Sequence, residues 1–184
     1  MKLLFITLTI LQSLFTALEQ KTLQSDFIIT IADSKTQPIT YSGSITMQGK
    51  QFLLEMFAME VAYDGNTLYM YSEDTEELTL STPTEEELIE TNPLLYAQAL
   101  LPICQYAEKA IGDNTQLTLT PYDSAAGISK FILRVVTNDL IPASTEIHEV
   151  DGKVTTLRFT NPQYINQPPT FRIEKNGVFI NDLR

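Results

Sequence analysis

Between Ile39 and Gln48 the chain alternates with a period of two: Ile39, Tyr41, Gly43, Ile45 and Met47 are interleaved with Thr40, Ser42, Ser44, Thr46 and Gln48. Successive side chains of a strand point to opposite faces, so the stretch reads as a half-buried β-strand with one apolar and one hydroxyl-rich face. A sheet built from such strands must cover its apolar face with another layer. Phe27, Ile29 and Ile31 suggest a strand before it. After the Gly49-Lys50 turn, Phe52, Leu54, Met56 and Ala58 continue the apolar face, while Leu53, Phe57 and Met59 make the other face apolar too. Asp64-Gly65 marks a tight hairpin turn, with Leu68 and Met70 on the returning strand. A polar turn at Glu73–Thr75 leads into Leu78 and Leu80. Loops this short predict an antiparallel meander.

The period changes after Leu80. Thr82-Pro83-Thr84-Glu85-Glu86-Glu87 carries a Thr cap, a Pro in the first turn and three carboxylates at the positive end of the dipole, the signature of a helix start. Asn92-Pro93 opens a second helix with Leu94, Leu95, Leu100 and Leu101, and Pro102–Ile111 reads as a third that closes at Gly112. The strand pattern then resumes with Leu117 and Leu119, Phe131, Leu133 and Val135, and Ile147. Asp151-Gly152 turns it into Val154, Leu157 and Phe159, and Asn176-Gly177 closes a last hairpin before Val178–Ile180. The expectation is roughly ten or eleven strands with one helical insertion at about 83–111. No linker or repeat divides the chain, so residues 19–184 read as one domain. A long antiparallel sheet curls, and the helices would sit over its concave face as a lid. What they leave unfilled becomes an apolar cavity.

Composition removes most catalytic chemistry. Among 184 residues there are 12 Lys and Arg against 23 Asp and Glu, a net charge of −11 that repels phosphate backbones and makes a nucleic-acid partner unfavourable. One cysteine, Cys104, excludes an intrachain disulfide and a thiolate metal cluster, and a lone His148 excludes a His-rich one. Neither G-x-S-x-G, H-E-x-x-H nor a Gly-rich phosphate loop occurs. His148 alternates along a strand between Ile147 and Glu149 and reads as a surface polar residue. The cluster Glu73, Asp74, Glu76 and Glu77 lacks the spacing that wraps Ca²⁺ and reads as a solvated turn. No catalytic residue, metal or cofactor is expected. Met47, Met56, Met59 and Met70 on neighbouring strands suit a cavity that adapts to flexible ligands.

At the N-terminus, Lys2 precedes the apolar run Leu3–Leu11 and then Gln12–Ala17. A short positive region followed by such a run reads as a secretory signal over residues 1–18, too short to span a bilayer. The alternative is an apolar helix retained in the fold.

The stretch Asp64-Gly65-Asn66-Thr67-Leu68-Tyr69-Met70-Tyr71 resembles the "DGxxLWxY" hairpin of the periplasmic outer-membrane lipoprotein carriers, the LolA family. It follows Gly43-Ser44-Ile45-Thr46-Met47, which is similar to that family's "G-x-L" strand. Ser81–Thr84 and Asn92-Pro93-Leu94 resemble its helical lid, and Asn181-Asp182-Leu183-Arg184 resembles the ending of one branch. The resemblance covers residues 20–184 in order. It implies an unclosed β-barrel, or half-barrel, covered by a helical lid. It also implies a non-enzymatic role, in which the protein receives acylated lipoproteins from an inner-membrane ABC transporter and carries them through the periplasm to the outer membrane. The downstream acceptor is not implied. No Arg stands where the family places a gating one, since that place holds Gln48-Gly49-Lys50.

By alternation, Ile45, Met47, Phe52, Leu54, Met56, Leu68, Met70, Leu78, Leu80, Phe131 and Leu133 are expected to line the acyl-chain cavity, and by placement Leu94 and Leu95 to cap it. The expected assembly is a monomer. The competing reading is a lipid-binding or envelope-stress sensing module of the same fold, working through protein contacts.

Overall fold

The computed structural model describes residues 9–123, 127–166 and 169–184. Lys2 and the apolar residues up to Leu8 lie outside the described residues. The chain is mainly β, with a few helices, and its strands form one curved sheet that does not close. Its strands are β1 (Thr22–Asp33), β2 (Thr36–Gln48), β3 (Gln51–Met56), β4 (Met59–Tyr63), β5 (Leu68–Ser72) and β6 (Glu77–Ser81), then β7 (Cys104–Ile111), β8 (Asn114–Pro121), β9 (Ile128–Val136), β10 (Ile141–Glu149), β11 (Val154–Ile165) and β12 (Phe179–Asp182). Their order is β12-β6-β5-β4-β3-β2-β1-β11-β10-β9-β8-β7, so β12 and β7 are open edges.

Among the described residues, three helices sit on the concave face. α1 (Ile10–Gln20) begins at Thr9, whose hydroxyl accepts from the Gln12 N–H while the Gln12 side chain accepts from the Thr9 N–H. Its apolar residues Ile10, Leu11, Leu14, Phe15 and Leu18 recur at helical spacing and are all buried. It lies against β1, β2 and β8. α2 (Glu85–Thr91) is capped in the same way by Thr84 and Glu87, so Pro83 stands ahead of the cap and not in the first turn as expected. α3 (Pro93–Leu100) is capped by Asn92.

Two sequence expectations fail here for identifiable reasons. The helices end in a 3-10 turn at Leu101–Ile103, and Cys104–Ile111 is strand β7, paired with β8 along its whole length. Gly112, expected as a helix stop, has φ +59° and instead makes the β7–β8 hairpin turn; a left-handed glycine serves either purpose. Likewise, Asn176-Gly177 does not close a hairpin. β12 lies parallel to β6, Ile180 beside Leu78, in a sheet whose other pairings are antiparallel. The twelve strands among the described residues exceed the expected ten or eleven because β7 is a strand and because Phe57-Ala58 forms a turn separating β3 from β4.

The main core fills the space between the concave face and the helices, joining α1, Leu94, Leu95 and Leu100 to strand residues from β1–β5 and β7–β11. A second, smaller cluster of Ala62, Tyr69, Leu78 and Ile173 lies on the convex face beneath the C-terminal segment. Asp64 ties that segment down. Its Oδ1 accepts the Asn66 and Thr67 N–H groups at 3.0 and 2.8 Å. Its Oδ2 accepts from Tyr69 at 3.2 Å and Arg172 at 3.0 Å. Burial pushes the Asp64 carboxyl up, but the Thr67, Asn66, Tyr69 and Arg172 donors outweigh it and hold the group below the usual carboxylate range.

Candidate functional site

The α2–α3 pair does not seal the concave face completely. Between it and strands β1, β3, β9, β10 and β11 lies a cavity of about 500 Å³, within the range of small-molecule sites. Ile29, Leu54, Ile89, Tyr96, Ile128, Ile147 and Leu157 supply its apolar lining, with Thr91, Thr145 and Thr155 as hydroxyl groups and Glu90 and Glu149 as charges. Strand register brings these residues together. Ile29 and Thr145 both lie opposite Leu157, and Ile147 lies opposite Thr155, so all five share one face. Ile128, Thr145 and Leu157 are buried and form the floor. Glu90 and Gly127 are exposed, which places the opening on their side.

Electrostatically the opening is acidic. Glu149 pairs with Lys153 at 2.6 Å, and this bond pushes the Lys153 ammonium up, with Asp151 and Asp33 adding to the same effect. The Tyr96 hydroxyl is pushed up by burial, then by the fields of Cys104 and Glu149, so the Glu149 charge is felt at the cavity wall.

The structure places the sequence-expected site residues in five groups. Leu54 lines the cavity. Leu95 lines a separate recess of about 230 Å³, shared with Lys50, Glu85 and Leu88. Ile45, Met47, Phe52, Leu68, Leu94, Phe131 and Leu133 are packed into the main core, and Met56 is partly buried at its margin. They line neither of these two spaces, because α1 and α3 pack against that part of the half-barrel. Met70 shares the concave face but lies near the β12–β6 edge and is 38% exposed.

Leu78 and Leu80 are on the wrong face for the expected role. Met70 lies opposite Thr79 and Leu68 opposite Ser81, so Thr79 and Ser81 face inward, whereas Leu78 and Leu80 pair with Tyr71 and Tyr69 on the convex side. There they join the cluster containing Ile173. Apolar alternation in β6 is real, but its cover is the C-terminal segment and not the helical lid.

His148 is half-buried on the convex face, its Nε2 3.2 Å from Glu146, which also accepts from Arg134 at 2.6 Å. Burial pushes the Glu146 carboxyl up, but the Arg134 and His148 partners prevail and hold it low. The cavity residues that alternation alone did not single out are Ile29, Ile89, Tyr96, Ile128, Ile147 and Leu157. Ile89 and Tyr96 lie on α2 and α3 and the other four on strands; which of these elements would become neighbours was not readable.

Among the described residues, no helix is long and apolar enough to cross a membrane, and no group of three or more His, Cys, Asp or Glu is placed to hold a metal ion. No protein-family model matches the chain, and no curated protein matches it in sequence. Among solved structures, an uncharacterised conserved protein from Thermus thermophilus superimposes with a TM-score of 0.64 at 10% identity, over 94% of this chain and 96% of that one. A LolA superfamily protein from Nitrosomonas europaea aligns with a TM-score of 0.41 at 13% identity, over 88% of this chain and 96% of that one. The MucA/MucB complex of Pseudomonas aeruginosa aligns with a TM-score of 0.44 at 14% identity, over 87% of this chain and 57% of that one. The likeness in fold rests on the Thermus structure, and it concerns fold alone.

Proposed function

We propose that the protein is a non-enzymatic carrier that shelters acyl chains in the cavity beneath α2 and α3. In its specific form, the cargo is an acylated lipoprotein, received from an inner-membrane ABC transporter and carried through the periplasm to the outer membrane. The observation that supports this reading is the cavity of about 500 Å³ between sheet and lid, lined mainly by Ile, Leu and Tyr. The physical need is plain. Acyl burial is worth about 0.8 kcal/mol per CH₂, so an acylated protein does not cross water unshielded. Release requires that the cavity hold its cargo less firmly than the next acceptor, and a cavity open at one side meets that requirement better than a closed one. In this reading α1 stays with the working protein, since removal of residues 1–18 would strip five buried apolar side chains from the core.

Native mass spectrometry of the protein purified from its own host tests the proposal. The expected result is a heterogeneous set of bound species that fragment into acylated N-terminal cysteine peptides. Bound phospholipid or fatty acid alone would keep the cavity and change the cargo. A bare protein, under conditions that preserve lipid adducts on a known carrier, would overturn the reading.

A further inference from the structure

We infer that the cavity seats one acyl chain at a time and favours chains whose head group is neutral or cationic over those ending in a free carboxylate. This inference rests on the acyl-carrier reading and narrows it. The chain number follows from volume. A methylene occupies about as much space as a water molecule, whose share of the liquid is roughly 30 Å³. A cavity of about 500 Å³ therefore holds on the order of sixteen methylenes, the length of a single acyl chain.

The head-group preference follows from charge. Glu90 and Glu149 are the charged residues lining the cavity, and no Lys, Arg or His lines it among the described residues. Glu90 is exposed, so it stands at the opening, where the head group of a buried chain must emerge. The nearby cation, Lys153, is held 2.6 Å from Glu149 and also feels Asp151 and Asp33, so the surroundings remain acidic after pairing. The whole chain carries −11, which adds to the same field. An anionic head would meet like charge beside a low-dielectric wall, where repulsion is stronger than in water. An ester- or amide-linked chain on an uncharged backbone meets none, and an amine meets attraction.

The test is competition of defined single-chain probes against an environment-sensitive fluorescent acyl probe, with the full chain at pH 8. Monopalmitoylglycerol, hexadecylamine and palmitate share a chain length and differ in head-group charge. The first two are expected to compete at least tenfold better than palmitate, each at one chain per protein. The Glu90→Gln, Glu149→Gln double variant should narrow the palmitate gap to under threefold, while Glu73→Gln, in the exposed β5–β6 turn, leaves the ratio at its wild-type value. Palmitate competing as well as monopalmitoylglycerol would overturn the preference, and so would a gap that the double variant leaves unchanged. Two or more chains per protein would overturn the chain number. Failure of every probe to bind would instead remove the carrier reading itself.

Discussion

The Ile10 backbone N–H donates to the Glu108 carboxylate at 2.6 Å, joining the first turn of α1 to edge strand β7 across 98 positions of sequence. A carboxylate at a helix N-terminus satisfies a donor that has no partner within the helix and sits at the positive end of the helix dipole. The bond couples the helix that fills the half-barrel to the last strand of the sheet. Glu108→Ala should lower stability by about 0.5–1 kcal/mol. Leu14→Ala, at a fully buried position of the same helix, should cost about 3 kcal/mol or more. Urea unfolding of the two variants checks both. If Leu14→Ala unfolds at the wild-type midpoint, α1 is not part of the core.

Filling the cavity should separate binding from folding. Ile147 lines the cavity and is half-buried, so Ile147→Trp should weaken acyl-probe binding at least tenfold with little change in Tm. Leu78→Ala, in the convex cluster, should do the reverse, lowering Tm while leaving probe affinity intact. Fluorescent-probe titration and thermal unfolding of both variants decide the matter.

Gly43 lies where β2 crosses beneath the Phe27 ring. A Cβ at this position would meet the Glu55 carbonyl oxygen at 2.3 Å and the Phe27 ring at 2.7 Å. The first of these is backbone and has little freedom to give way. Gly43→Ala should therefore destabilise by about 1–3 kcal/mol, read from the urea midpoint, with the slope of the transition unchanged.

Tyr164 gives the fold a dependence on alkaline pH. Its hydroxyl donates to the Leu140 carbonyl at 2.5 Å, and burial pushes its ionisation up to about 12 from an ordinary value near 10. The folded state thus favours the protonated phenol. Its contribution is full below pH 10 and is lost as pH rises from 10 to about 12. Tyr164→Phe should be less stable than wild type at pH 8 by about 1 kcal/mol for the lost hydrogen bond, and the difference should shrink or reverse at pH 11. Chemical unfolding at the two pH values reads the difference directly.

The sequence carried the architecture further than the site. The alternation at Ile39–Met47 and the Asp64-Gly65 turn each specify their local backbone through nearby residues, although Ile39 and Tyr41 remain exposed on the strand whose apolar face was expected to be buried. The apolar stretch before Gln20 fits an export signal and a core helix equally well in composition; only its burial against β1, β2 and β8 shows its place in this fold. Met47 and Phe52 face inward as alternation requires, yet line no cavity, because alternation says which face a side chain occupies and not what fills the space beyond it. Leu78 and Leu80 show the complementary limit. The apolar face of β6 is covered by a segment nearly a hundred residues downstream, and no local pattern announces that cover. Ile29, Ile147 and Leu157 meet only through pairing of β1, β11 and β10, which is non-local in the same way.

Photo-crosslinking in the native host tests the central claim most directly. A photoreactive amino acid replaces Leu54 inside the cavity or, in a second strain, Leu80 on the convex face. The account predicts adducts at position 54 that contain acylated N-terminal cysteine peptides, with none at position 80. Absence of acylated adducts at position 54, or equal labelling at both positions, would contradict it.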